Sequence, residues 1–273
     1  MNQNFNLPTP GEYVARQKTL VSISGAAPYF HDGSSGTAFL ILHGWSASAE
    51  SVRFLASGIA QAGHAVLAPT LPGHGSTTAE MVKVGPLEWN EAAREAAEIL
   101  RVRFQSVVVL GVSMGGALAL QLAATSPHLI DGIITVNAPV FLDNGSFASE
   151  IVTNASDPFL KGWSVPTFFG AAVDEISYPR RYKKSGADLY SMCAIARELL
   201  PHVTAPILVV QSVLDPVVPK ASADEILLRS GASSKGVVWL ERSYHVSQLD
   251  LDSDRIIEAS LAFVAGHGLY PDI

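Results

Sequence analysis

The 273-residue chain is 48% hydrophobic and only 16% charged, enough apolar material for one large core, and α/β folds of this length are often single domains. Its net charge of −7 argues against nucleic acid or an anionic membrane surface as a partner, because neither gains from contact with an acidic surface. One cysteine, Cys193, excludes an intrachain disulfide framework and a cysteine-based metal cluster.

The segment MNQNFNLPTPGEY has neither a basic n-region nor an apolar h-region, and no apolar run reaches membrane-spanning length, so a soluble cytoplasmic protein without stable membrane insertion is expected. Residues 1–20, broken by Pro8, Pro10 and Gly11, read as an N-terminal extension of uncertain order. Short strands are expected at 20–24 and 27–31, and an apolar strand at 37–42 runs into His43-Gly44-Trp45-Ser46. A helix with Ser46 or Ser48 as N-cap buries Val52, Leu55, Ile59 and Ala60 and stops at Gly63. A strand at 65–69 precedes the turn-rich Leu71-Pro72-Gly73-His74-Gly75-Ser76, and Pro86 opens a helix whose apolar face holds Trp89, Ala93, Ala96, Ala97 and Leu100.

Strands follow at 130–136 and 206–214, and between them residues 140–204 mix aromatics with Asp, Pro, Gly and Ser, becoming helical only around 188–200. A helix at 219–229, a strand at 236–240 and an amphipathic helix at 254–264 close the chain. This alternation predicts a mostly parallel sheet with helices on both faces, whose functional groups collect at the carboxyl ends of the strands. The expected division is a core of 21–139 and 205–273 with a cap inserted at 140–204.

The stretch SVVVLGVSMGGALALQLAAT, residues 106–125, reads as strand, sharp turn, helix, with Ser113 at the apex. A nucleophile at such an elbow needs small residues two positions either side, because strand and helix run very close together there; Gly111, Gly115 and Gly116 supply them. A Gly-rich dinucleotide turn would want glycine where Ser113 stands.

A serine hydroxyl needs a base, normally a histidine held in one tautomer by a carboxylate. Of eight histidines, His245 stands just past a late strand, while His267 ends the closing helix and reads as a cap for its carbonyls. Asp215 directly follows a buried strand; Asp143, Asp157, Asp174 and Asp188 fall inside the insertion. Ser113, Asp215, His245 is the order expected of a nucleophile, acid and base at successive strand ends. Backbone N–H groups of Met114 and Trp45 are the expected oxyanion donors, and His43 and His74 read as loop-organising residues.

These residues resemble the small α/β-hydrolase carboxylesterases and bacterial monoacylglycerol lipases, through SGAAPYFHDG, FLILHGWSAS, LPGHG, GPLEW, LGVSMGG, PILVVQSVLDPVVP and RSYHVSQLDLD, over roughly residues 20–266. The resemblance implies an α/β-hydrolase fold with Ser113 as nucleophile, His245 as base, Asp215 as orienting acid, and Trp45 and Met114 as oxyanion hole. Trp45 stands where the family often has phenylalanine, and 140–204 aligns poorly.

The expected function is carboxylic-ester hydrolysis through an acyl-enzyme, with no metal or organic cofactor and a small-molecule ester carrying an apolar acyl or aromatic part as partner. Phe141, Phe159, Trp163 and Phe168 are the substrate-binding candidates of the cap. Lactone, thioester or C–C bond hydrolysis on the same triad is the alternative, and a non-catalytic receptor the one from another class. A haloalkane dehalogenase would need Asp at 113. No heptad or assignable apolar patch indicates an oligomeric state.

Overall fold

The structure, a computed structural model, describes residues 7–142, 145–152, 157–161, 167–170 and 175–269. Seven strands form one sheet: β1 (Tyr29–His31), β2 (Thr37–Leu42), β3 (Ala65–Ala68), β4 (Ser106–Val112), β5 (Gly132–Val136), β6 (Ile207–Ser212) and β7 (Lys235–Leu240). Their spatial order is β1-β3-β2-β4-β5-β6-β7, with β1 antiparallel to β3 at one edge and every other pairing parallel. The helices are α1 (Pro10–Lys18), α2 (Arg53–Gln61), α3 (Thr78–Met81), α4 (Pro86–Arg101), α5 (Met114–Thr125), α6 (Gly145–Val152), α7 (Lys183–Leu199), α8 (Lys220–Arg229) and α9 (Ser253–Gly266). Among the described residues no helix is long and apolar enough to cross a membrane.

The two-residue period of a strand divides β4 cleanly. Val107 and Val109 join Leu40, Leu42, Ile133 and Val209 in a core closed by α1, α4, α5, α7 and α8. Val108 and Leu110 point the other way, with Phe39, Ile41, Ile134 and Val210, onto α2 and α9. Both faces are therefore dry, which is why β2 and β4 are nearly unbroken apolar runs.

Residues 10–18, expected within an extension of uncertain order, form a helix. Thr9 and Glu12 make a reciprocal capping box, Pro10 sits in the first turn, and Tyr13 and Val14 are buried in the larger core. Residues 20–24 form no strand; the N–H groups of Ser22 and Ile23 both donate to Gly75 O at 3.0 Å. Past Ser48 the chain first makes a 3-10 turn, Ala49–Val52, before α2. Within the insertion, α7 starts at Lys183, earlier than expected. Its Leu189, Met192, Cys193 and Ala196 join the larger core, and Gln121 Nε2 on α5 donates to Met192 O at 2.8 Å. The second half of the insertion thus packs as core.

Candidate active site

β4 stops at Val112, and Ser113 takes φ 52° and ψ −120°, a left-handed conformation that a side chain rarely adopts. The turn is this sharp because backbones touch around it. A Cβ on Gly111 would lie 2.1 Å from Gly115 O, one on Gly115 2.2 Å from Leu42 O, and one on Gly116 2.4 Å from Ala138 Cβ. Only hydrogen fits at these three positions. Ser113 N–H donates to Val136 O at 2.8 Å, anchoring the apex to β5.

Asp215 lies three residues past β6 and His245 five past β7. His245 Nδ1 is 2.8 Å from Asp215 Oδ2 and its Nε2 is 3.0 Å from Ser113 Oγ. The carboxylate only accepts, so it fixes the proton on Nδ1 and leaves Nε2 to accept from the serine hydroxyl. The other oxygen of Asp215 accepts from Val217 N–H at 2.8 Å and Val218 N–H at 3.0 Å, so a turn holds the carboxylate. The Asp215 side chain is wholly buried, and that of His245 is 13% exposed. Burial disfavours the imidazolium, but the charge and hydrogen bond of Asp215, with the charge of Glu175, outweigh it and hold His245 above the ordinary 6.5.

Beyond β2, buried His43 organises the next loop. Its Nδ1–H donates to Gly44 O at 2.9 Å and its Nε2 accepts from Leu71 N–H at 3.0 Å. Burial and the neighbouring His74 drop its pKa to about 3, and burial takes His74 to about 4, so both are neutral. The loop brings Gly44 against the serine: a Cβ there would meet Ser113 Cβ at 3.4 Å. Trp45 follows on the cavity wall, and Met114, wholly buried, opens α5.

The cavity over Ser113 has a volume of about 510 Å³. Of the aromatic candidates, Phe168 lines it. Phe141 does not: it packs against the larger core with the Arg197 guanidinium 5.6 Å from its ring centre. Phe159 does not either, because it stacks on Tyr182 at 4.3 Å under the Arg180 guanidinium. Trp163 lies outside the described residues.

Comparison with known proteins adds four likenesses. Residues 39–259 match the alpha/beta hydrolase family. The chain belongs to the alpha/beta hydrolase family. It is 33% identical to a thermostable monoacylglycerol lipase of Bacillus sp. (strain H-257), covering 90% of this chain and 96% of that one. It is also 27% identical to a carboxylesterase of Bacillus subtilis (strain 168), covering 80% and 88%. A solved structure reported with two metagenome-derived lipolytic enzymes, LipS and LipT, superposes with a TM-score of 0.85 at 36% identity, over 90% of this chain and 99% of that one.

Several residues at this alpha/beta hydrolase site escape sequence reading. Asn137, at the end of β5 with φ 48°, is wholly buried and ties two strand ends together. Its Oδ1 accepts from Ser212 N–H at 2.7 Å; its Nδ2 donates to His245 O at 2.8 Å and Ser247 Oγ at 3.1 Å. Glu175 and Arg181, from the insertion, face the cavity. Burial raises Glu175, against the charges of His245 and Arg181, and lowers Arg181, against that of Glu175. Tyr178 OH donates to Gly73 O at 2.6 Å, joining the insertion to the turn after β3. The one sequence signal for these is DEISYPRRYKK, a crowd of charges within an otherwise aromatic and small-residue stretch.

Proposed function

We propose that this chain is a serine carboxylic-ester hydrolase whose substrates are monoacylglycerols and simple esters with an apolar acyl part. The reading is carried by one observation: the serine, imidazole and carboxylate are joined by hydrogen bonds of 3.0 and 2.8 Å, and Ser113 and His245 line a cavity. In it, His245 Nε2 takes the proton of Ser113 as Oγ adds to the ester carbonyl. The N–H groups of Trp45 and Met114 receive the oxyanion, helped by the positive end of α5. The tetrahedral species collapses, the alcohol leaves with the proton from His245, and water then releases the acid by the same relay. Asp215 keeps its charge throughout and stabilises the imidazolium.

Phe168, Leu189, Val217 and Val246 give the acyl part an apolar wall, and the insertion 140–204 acts as the cap that selects substrates. The printed activities of the Bacillus lipase and esterase support the ester class. A cytoplasmic place for the enzyme rests on its single, buried cysteine. The chemistry asks for no metal or organic cofactor. Hydrolysis of a chain-length series of nitrophenyl esters and monoacylglycerols tests the reading. Ser113→Ala is expected to lower kcat by about 10⁴–10⁶-fold, and unchanged turnover in that variant would overturn the mechanism.

A further inference from the structure

We infer that Arg181, carried by the insertion, is a positioning residue for the oxyanion loop: it fixes Ser46 and, through it, the direction of the Trp45 N–H. The inference rests on the proposed role of Trp45 as an oxyanion donor.

Three non-glycine residues have positive φ among the described residues: Ser46 at 62°, Ser113 at 52° and Asn137 at 48°. They follow the adjacent strands β2, β4 and β5. Such conformations persist only where the surroundings over-determine them. For Ser113 the glycine contacts do so, and for Asn137 the hydrogen bonds of its side chain. Ser46 is held from the insertion. Tyr178 N–H donates to Ser46 O at 3.2 Å and Arg181 Nε–H donates to Ser46 Oγ at 2.7 Å. The Arg181 guanidinium also lies 5.5 Å from the Trp45 ring centre, so one planar group touches two consecutive residues of the loop.

Arg181 is itself pinned. Leu160 N–H donates to Arg181 O and Lys183 N–H to Pro158 O, both at 2.8 Å, fixing the backbone beside it, and the nearby Glu175 balances the buried charge. A lysine has no planar group to offer a donor at the same angle while also lying over the indole. The geometry has a consequence for rate. The loop after β2 reaches the oxyanion only if its N–H points at the right spot, and a shift of about 1 Å in a catalytic group can cost about 10²-fold. The insertion that selects the substrate also sets the loop that stabilises the transition state.

The test measures kcat and KM on nitrophenyl butyrate, together with the rate at which a fluorophosphonate labels Ser113. Labelling forms a tetrahedral adduct, with Oγ bonded to phosphorus and fluoride leaving, so it probes the loop without ester turnover. For Arg181→Met, kcat and the labelling rate are expected to fall together by about 10- to 100-fold, with KM within about threefold. Arg181→Lys recovers only part. Ser46→Ala is expected to lose a similar factor, and the double variant little more than either alone, because the two residues act as one contact.

Arg181→Met with unchanged kcat and labelling in folded protein, as judged by thermal melting, would overturn the inference. So would a rise in KM alone, which assigns the guanidinium to substrate binding, or losses that multiply in the double variant. Should Arg181→Met not fold, Arg181→Lys and Ser46→Ala decide between the same outcomes. Failure of the esterase reading looks different: wild-type protein then turns over no ester, yet its labelling at Ser113 still slows when Arg181 is replaced.

Discussion

The elbow between β4 and α5 and the insertion residues 167–170 and 175–182 meet in one cavity but are built from different material. At the elbow, position is set by close approach to backbone and to the Ala138 Cβ, with three glycines that no larger residue can replace without moving β2, α5 or Ala138. The insertion reaches the core through side-chain and single backbone hydrogen bonds. Tyr178 docks on Gly73 and Arg181 on Ser46; Val246 N–H donates to Thr167 O at 3.0 Å, and Asp250 accepts from the N–H groups of Phe169 at 2.6 Å and Gly170 at 2.9 Å. Contacts of the first kind cannot be altered one at a time; those of the second can. The proposed reaction chemistry rests on the first region and the proposed substrate choice on the second, with Arg181 the contact proposed to join them.

Breaking the relay should give the largest effect. Asp215→Asn keeps the turn contacts but favours the wrong histidine tautomer, so kcat is expected to fall by about 10⁴-fold with the melting temperature little changed. Near-normal turnover would assign the orienting role to another acid. A smaller effect is expected in the insertion. Phe168→Ala should alter the ratio of kcat/KM between long- and short-chain esters by about 10-fold while leaving acetate hydrolysis within about threefold. Equal losses on all chain lengths would place Phe168 with the chemistry instead.

The smallest effect joins the two regions. His245 must be neutral to take the proton of Ser113, so kcat/KM falls as pH drops through its pKa, which lies above 6.5. Glu175→Gln removes a charge that raises it, after the larger influence of Asp215. The acid limb of the pH profile is therefore expected to move to lower pH. A limb that stays put or moves up would separate Glu175 from the relay.

The difference between the regions also explains what the sequence could reveal. Gly111, Gly115 and Gly116 are legible because a steric rule at fixed spacing demands them. Asp215 is legible because a buried strand announces its own end, and His245 because it stands just past the late strand β7. Glu175 and Arg181 obey no period: an irregular path delivers them, and only the path says which charges turn inward. Phe141 and Phe159 mislead for the same reason, since an aromatic in such a segment packs on whichever surface the chain passes. Helix α1 was readable in principle from Thr9-x-x-Glu12, but polar composition and two prolines disguised it. Asn137 could be seen to end a strand, not to tie β6 to the histidine loop.

The left-handed backbone at Ser113 has a consequence for stability. Holding a side chain there costs of order 1–3 kcal/mol, against about 0.5–1 kcal/mol gained by avoiding the greater chain entropy of unfolded glycine. The balance favours glycine. Ser113→Gly should therefore melt a few degrees higher than wild type while hydrolysing nothing. On the proposed mechanism, serine at 113 then stands there for chemistry and against the preference of the fold.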